Sequence, residues 1–107
     1  MNQKNQMVVN EFLTSLRKAN NKEKTINDHK GRLHFFFKDR EEEFSAITQG
    51  DIQKCLTTLK SRVKERTIQD YIATLRAFYN FCLQMEYVEM SPVMDKKNVN
   101  PKIIIGY

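Results

Sequence analysis

The chain has 107 residues, of which 40% are hydrophobic and 29% are charged, and its formal net charge at pH 7 is +5. This length suits one domain with a single core, and the positive charge favours contact with a polyanion. The sequence contains neither the roughly 18 apolar residues of a membrane span nor the apolar run of a secretory signal, so we expect a cytoplasmic protein without membrane contact.

Three helices are predicted before residue 64, where apolar residues recur at three- and four-residue intervals. The first runs from Gln6 to Ala19, the second from Thr25 to about Lys38, and the third begins at the cap Thr48, with Asp51 three residues later. The inward face of the first helix consists of Val8 or Val9, Phe12, Leu13 and Leu16. That of the second consists of Ile26, His29, Leu33, Phe36 and Phe37, and that of the third of Ile52, Cys55, Leu56, Leu59 and Val63. Phe35 lies off its stripe and is expected to pack on the first helix or to meet a partner. The acidic run 39–43 is predicted to be a loop that Phe44 and Ile47 hold against the core.

A fourth, longer helix is predicted from Lys64 to Leu83, and the other segments are expected to pack around it. Its apolar stripe consists of Ile68, Tyr71, Ile72, Leu75, Phe78, Tyr79 and Cys82. Thr67 is predicted to cap it, with Asp70 favourably placed in the first turn. A turn should then bring Tyr87 and Val88 back to the bundle. We expect one helical domain over residues 1–93, followed by a linker over residues 94–107 whose apolar Ile103 to Ile105 needs a partner or a continuing polypeptide.

One short pattern occurs twice and carries the main functional signal. The segments Lys22 to Asp28 and Lys64 to Asp70 match in residue type at every position. Each places two basic residues before a threonine that is expected to cap a helix, followed by an amide side chain. A helix N-terminus offers unpaired N–H groups and partial positive charge, so both segments are suited to bind phosphate. The alternative is that both are ordinary helix starts with solvated lysines.

Other kinds of chemistry find little support in the sequence. His29 and His34 are five residues apart, and no CxxC or HxxxH pattern occurs, so we expect neither a metal site nor a cofactor. His29 is expected to be a core histidine with a hydrogen-bond partner. Cys55 and Cys82 should be small core residues without a disulfide between them. No catalytic constellation is recognisable, and the chain is not expected to be an enzyme by itself.

The order and spacing of several residues resemble the core-binding domain of tyrosine recombinases of the phage-integrase type. The matching residues are Ile47, Thr48, Asp51 and Ile52; Thr67, Ile68, Tyr71, Ile72, Leu75, Arg76, Phe78, Tyr79 and Phe81; Tyr87 and Val88; and Pro92. The resemblance extends over roughly residues 8–93. It implies an all-α fold, a compact SAM-like bundle of four main helices that forms half of a clamp around duplex DNA. It also implies that the second and fourth helices lie against the DNA.

In that family a separate domain, reached through the linker, supplies an arginine, histidine, arginine and tyrosine constellation that attacks the scissile phosphate. This chain lacks it: Tyr107 ends the linker and is not the nucleophile, and Arg76 belongs to a bundle helix. The implied partners are double-stranded DNA, a catalytic domain of the same polypeptide and further recombinase protomers in a synaptic complex. The implied role is DNA integration and recombination for a phage or mobile element.

The candidate DNA contacts combine the repeated pattern with the resemblance. They are Lys22, Lys24, Thr25, Asn27, Lys30, Lys64, Arg66, Thr67, Gln69 and Arg76. The lysines and Arg66 should bind phosphates, with affinity that falls as salt rises, whereas Asn27, Gln69 and Arg76 are better suited to sequence preference.

Two alternatives remain open at this stage. The first is a helical protein-binding adaptor that uses Phe35 to Phe37 and Ile103 to Ile105, and its binding would be insensitive to salt. The second is a small stand-alone DNA-binding regulator without an attached recombinase, which the gene downstream of Tyr107 would distinguish.

Overall fold

The structure, a computed structural model, describes residues 1–93, which form four α-helices and one short 3-10 turn. The helices are α1 (Gln3–Lys18), α2 (Glu23–Phe37), α3 (Gln49–Lys60) and α4 (Glu65–Gln84), and the 3-10 turn Phe44–Ala46 lies between α2 and α3. No strand occurs among these residues. The expected all-α bundle of four main helices is therefore confirmed. The predicted linker, with Ile103 to Ile105, lies outside the described residues.

Helix α1 begins three residues earlier than the sequence pattern predicted. The side chain of Asn2 accepts hydrogen bonds from the backbone N–H groups of Lys4 (2.8 Å) and Asn5 (3.2 Å), which caps the helix. Asn5 is fully buried and holds the acidic loop: its amide donates to the Glu42 carbonyl (2.9 Å), and its side-chain oxygen accepts from the Phe44 N–H (2.6 Å). The polar N-terminal residues are thus part of the fold.

The prediction that Thr48 caps the third helix is confirmed. Its hydroxyl accepts from the Asp51 N–H (3.1 Å), and the Asp51 carboxylate accepts from the Thr48 N–H (2.9 Å), which completes a capping box. Hydrogen bonding to the Asp51 carboxylate, from the Thr48 backbone first and from the Thr48 side chain second, lowers the pKa of Asp51.

The prediction that Thr25 and Thr67 cap their helices is wrong. The capping positions belong to Lys22 and Lys64, which are extended and whose side chains make no capping hydrogen bond. The Lys22 carbonyl accepts from the Ile26 N–H (3.0 Å), and the Lys64 carbonyl accepts from the Ile68 N–H (3.2 Å). Each helix therefore begins before its threonine. Threonine is therefore the third helical residue in both.

The core is centred on α4, as the apolar stripe predicted. Phe78 is fully buried, and its ring packs edge-on against those of Phe12 (5.7 Å between centroids), Phe37 (5.7 Å) and Phe44 (6.2 Å). Tyr79 is also fully buried, and its hydroxyl donates to the Phe44 carbonyl (2.8 Å). Burial raises the pKa of the Tyr79 phenol. Contacts from three other segments of the chain thus converge on one turn of α4.

The end of α4 is a turn that returns the chain to the bundle, as predicted. Glu86 adopts a left-handed backbone (φ 64°), and the Tyr87 N–H donates to the Cys82 carbonyl (2.8 Å), which closes the helix. The Tyr87 hydroxyl then donates to the Glu11 carboxylate (2.7 Å). Val88 packs against the core, so both residues of the predicted return are in contact with it.

Three individual predictions have mixed outcomes. Phe35 packs on Tyr71 of α4, with 5.6 Å between ring centroids, instead of on α1. His29 has the expected hydrogen-bond partner, the Thr74 hydroxyl at 2.7 Å. Both cysteines are free thiols; Cys82 is fully buried, whereas Cys55 is only half-buried. Burial raises the pKa of both thiols, that of Cys82 to about 12.

Candidate nucleic-acid interface

The two repeated segments begin their helices in the same backbone register. In each, a lysine occupies the capping position, a glutamate is the first helical residue, a basic residue the second and a threonine the third. The corresponding pairs are Lys22 and Lys64, Glu23 and Glu65, Lys24 and Arg66, and Thr25 and Thr67. The pattern in the sequence is therefore also a repeat in the structure.

These two helix starts differ from those of α1 and α3 in one respect. Asn2 and Thr48 cap their helices with side-chain oxygens, whereas Lys22 and Lys64 do not. The N–H groups of a first turn generally lack a partner within the helix, although that of Thr67 donates to the Lys64 carbonyl (3.0 Å), and they lie at the positive end of the helix dipole. The starts of α2 and α4 therefore combine uncapped first turns with cationic side chains, a combination suited to binding an anion.

Most of the ten candidate contact residues are solvent-accessible. Eight of them have exposed side chains, whereas Thr67 and Arg76 are half-buried on α4. The exposed ones are Lys22, Lys24, Thr25, Asn27, Lys30, Lys64, Arg66 and Gln69. The structure thus leaves most of the predicted contact set accessible to a ligand.

Three of these side chains contact acidic residues one turn away on the same helix. Lys24 Nζ lies 3.2 Å from the Asp28 carboxylate on α2, and Arg66 Nε lies 4.0 Å from the Asp70 carboxylate on α4. The Gln69 amide in turn donates to the Glu65 carboxylate (3.1 Å). Corresponding members of the repeat therefore make corresponding ion pairs.

A polar junction joins the middle of α2 to the first half of α4. Arg32 of α2 donates to the Thr74 hydroxyl of α4 (3.1 Å) and lies 3.9 Å from the Asp70 carboxylate. The Asp70 carboxylate thus forms ion pairs with Arg32 of the neighbouring helix and with Arg66 of its own helix. The same Thr74 hydroxyl contacts His29 Nδ1, so one buried oxygen connects two side chains of α2.

The electrostatics of the junction favour a neutral His29. Burial is the main cause that lowers the pKa of this imidazole, and the Arg32 guanidinium lowers it further, whereas Asp28 acts in the opposite direction. Because Thr74 already accepts from Arg32, its hydroxyl proton is free to be donated to His29 Nδ1.

Sequence reasoning missed Arg32, the residue that connects α2 and α4. Its spacing was the available signal, since it follows the inward-facing His29 by three residues and therefore lies on the same side of the helix. Its partners are about 40 residues away along the chain, and only the packing of the two helices reveals them.

Residues 1–93 contain neither a candidate metal site nor a candidate membrane-spanning helix. There, no three His, Cys, Asp or Glu side chains come together as a metal site would require. None of the helices in the same range combines the length and apolar character needed to cross a bilayer.

The aromatic residues that the adaptor hypothesis invoked are used inside the fold. Phe36 and Phe37 are buried, and Phe35 packs on Tyr71. They therefore do not provide an exposed aromatic face. The second element of that hypothesis, Ile103 to Ile105, lies outside the described residues.

Comparison with known proteins identifies the family. The family model for the phage integrase N-terminal SAM-like domain matches residues 9–86, from the middle of α1 to just past the end of α4. This domain is a non-catalytic part of the tyrosine recombinases. Searches of curated proteins and of solved structures returned no match. The match covers most of the sequence and the helices agree with it, so the chain belongs to the phage integrase N-terminal SAM-like domain family.

Proposed function

We propose that this chain binds double-stranded DNA as the core-binding domain of a site-specific tyrosine recombinase and contacts the duplex through the starts of α2 and α4. The observation that carries the proposal is the structural repeat: two helices begin in the same register, each with an uncapped first turn and exposed basic side chains. Membership of the integrase family supplies the biological context.

Phosphate is the group that these two helix starts suit best. Backbone N–H groups and the helix dipole attract an anion, and exposed lysine and arginine side chains can neutralise it. Lys22, Lys24, Lys64 and Arg66 are the proposed phosphate contacts, with the Thr25 and Thr67 hydroxyls close by in the same turns. Such contacts position a protein on the duplex without reading its sequence.

Residues further along the two helices are proposed to give sequence preference. Asn27 and Gln69 follow the threonines by two residues, and their amides can both donate to and accept from base edges. Arg76 lies further along α4, and Lys30 provides another exposed cation on α2. Reading bases requires Gln69 to leave the Glu65 carboxylate that now accepts its hydrogen bond.

The same proposal extends to the whole recombinase. Residues 1–93 would form one half of a clamp on the duplex, and residues 94–107 would lead to a catalytic domain that closes the other half. Further protomers would join in a synaptic complex. In this arrangement the chain positions DNA for integration and recombination, and the chemistry takes place elsewhere.

The first test is an amide-shift titration of the 107-residue chain by NMR, with a short duplex of arbitrary sequence at low and then moderate salt. We expect shifts that cluster at residues 22–27 and 64–69 and that fade as salt rises, because exposed phosphate contacts are screened. Amides that stay unchanged at both segments, or shifts confined to other helices, would show that the interface is elsewhere.

The second test measures DNA affinity against salt concentration for Lys24→Ala, Arg66→Ala and the double variant. Each lost phosphate contact should lower the salt slope by about one and weaken binding to all duplexes alike. Lys4→Ala removes the same charge from the first turn of α1, where Lys4 lies 3.9 Å from Glu43, and serves as the control for each single variant. Equal effects of all three single variants would exclude specific phosphate contacts at Lys24 and Arg66.

A further inference from the structure

We propose that Asp28 and Asp70 restrain the DNA affinity of the two helix starts by competing with phosphate for Lys24 and Arg66. The inference rests on the proposed function and adds a specificity-determining role for two acidic residues that do not themselves bind DNA. In this view, a duplex of non-specific sequence must displace a carboxylate at both helix starts. Only a DNA sequence that makes additional contacts with the protein binds tightly.

The repeated geometry is the first observation behind this proposal. Both aspartates occupy the last position of the repeated segment, four residues after the basic residue with which they pair. The glutamates of the first turns are engaged differently: Glu23 lies 3.5 Å from Arg17, and Glu65 accepts from Gln69. At each start, therefore, the acid that pairs with the candidate phosphate-binding side chain is the aspartate.

Exposure determines how the competition works. The side chains of Lys24 and Arg66 are 86% and 88% exposed, and those of Asp28 and Asp70 are 42% and 41% exposed. Exposed pairs of this kind are weak, so a duplex can break them, and both the pairing and the repulsion between aspartate and phosphate diminish as salt rises. The effect is thus a moderate, salt-dependent reduction of affinity and does not block binding.

The two aspartates differ in one way that decides which variant to use. Asp70 also lies 3.9 Å from Arg32 at the junction of α2 and α4, so its replacement disturbs helix packing as well as Arg66. The ion pair of Asp28 with Lys24, in contrast, joins two side chains of the same helix, α2. Asp28→Asn is therefore the cleaner variant, and Asp70→Asn is informative only after its stability has been measured.

The experiment compares the 107-residue chain with Asp28→Asn in binding to a duplex of arbitrary sequence. We expect Asp28→Asn to bind about two- to fivefold more tightly at about 0.1 M salt, with the gain mostly lost at several times that concentration. Urea denaturation of both proteins verifies that they are equally folded at the temperature of the assay.

Glu42→Gln is the matched charge control. It removes one negative charge beside the start of α1, where the Glu42 carbonyl is bonded to Asn5, whereas α2 begins beside Arg17 at the other end of α1. A 16-residue helix separates the two places by about 20 Å, twice the Debye length near 0.1 M salt. Its affinity should therefore remain close to that of the parent chain.

A third comparison tests whether Asp28 acts through Lys24. In a Lys24→Ala background, Asp28→Asn should produce a clearly smaller gain, because no cation remains to be released. If the gain is unchanged in that background, or if Glu42→Gln gives the same gain, the aspartate acts only through net charge and the proposal is wrong. If Asp28→Asn binds no better while Lys24→Ala still weakens binding, the inference fails and the proposed function stands. Failure of the parent chain to bind any duplex would overturn both.

Discussion

Single polar side chains in the interior decide how the segments of this protein are held together. Asn5 and Thr74 are fully buried, and each contacts two groups that are distant along the chain. Asn5 connects α1 to the acidic loop, and Thr74 connects α4 to two side chains of α2. Buried polar atoms are costly without partners, so such residues stabilise the one arrangement in which all their bonds are made.

The environment of His29 makes the stability of the protein depend on pH. Its pKa in the folded state is lowered from 6.5, chiefly by burial and secondly by Arg32, so the unfolded chain binds the proton more readily. The contribution of His29 to the free energy of unfolding is therefore greatest above about pH 6.5 and falls as the pH drops towards the folded-state pKa. Protonation would also place a second cation beside Arg32.

Urea denaturation at about pH 7.5 and about pH 5.5 tests this prediction at the residue scale. We expect the parent chain to lose more stability on acidification than His29→Gln, which can still hydrogen-bond with Thr74 and does not titrate. Carboxylates elsewhere contribute equally to both proteins and cancel in the comparison. Equal losses would show that the acid sensitivity has another source.

At the scale of the elements, the helix starts fall into two kinds. Hydrogen bonds to capping side chains stabilise the starts of α1 and α3. Lysine occupies the capping position of α2 and α4, where it gives the helix no such hydrogen bond. Stability is thus not optimised at the two starts that are proposed to meet DNA, as is common at functional sites.

This difference predicts unequal effects of two threonine substitutions. Thr48→Ala removes a capping hydrogen bond and should lower the free energy of unfolding by about 1 kcal/mol. Thr25→Ala should change it by no more than a few tenths of a kcal/mol, because Thr25 is exposed and lies at the third position of its helix. Urea denaturation of both variants provides the test. Losses of about 1 kcal/mol for both would indicate that Thr25 supports its helix in a way that capping does not explain.

At the scale of the whole molecule, one cluster of aromatic rings connects α1, α2, α4 and the 3-10 turn. Phe78 packs against α1 through Phe12, α2 through Phe37 and the 3-10 turn through Phe44. Because α2 and α4 share this cluster as well as the polar junction, the two proposed DNA-binding starts belong to a single packed unit. Their relative position therefore depends on the packing of the core.

Phe78→Ala should consequently destabilise the entire domain. Replacing a fully buried phenylalanine costs about 3–5 kcal/mol, a large share of the 5–15 kcal/mol typical of a small domain. Phe35→Ala, at a half-buried ring that packs on Tyr71, should cost roughly 1–2 kcal/mol. Urea denaturation midpoints of the two variants provide the measurement. Comparable losses would contradict the central position assigned to Phe78.

The sequence alone predicted the features that depend on local periodicity and composition. The spacing of apolar residues defined the four helices and the inward face of α4, because a helix places every third or fourth residue on one side. The capping box of Thr48 and Asp51 was also recognisable, since both partners lie within one turn. The repeated segment and the resemblance to integrases likewise came from order and spacing, and the family match agrees with that assignment.

Only the tertiary structure decided which distant residues meet and where α2 and α4 begin. The roles of Asn5, Arg32 and Thr74 depend on partners about 40 residues away, and local patterns contain no information about such contacts. Thr25 and Thr67 fit the composition of a cap, yet the capping position of each helix lies three residues earlier, at a lysine. The physical reason is that a helix extends as far as packing and backbone hydrogen bonds support it, and these outweigh the small preference for a capping side chain.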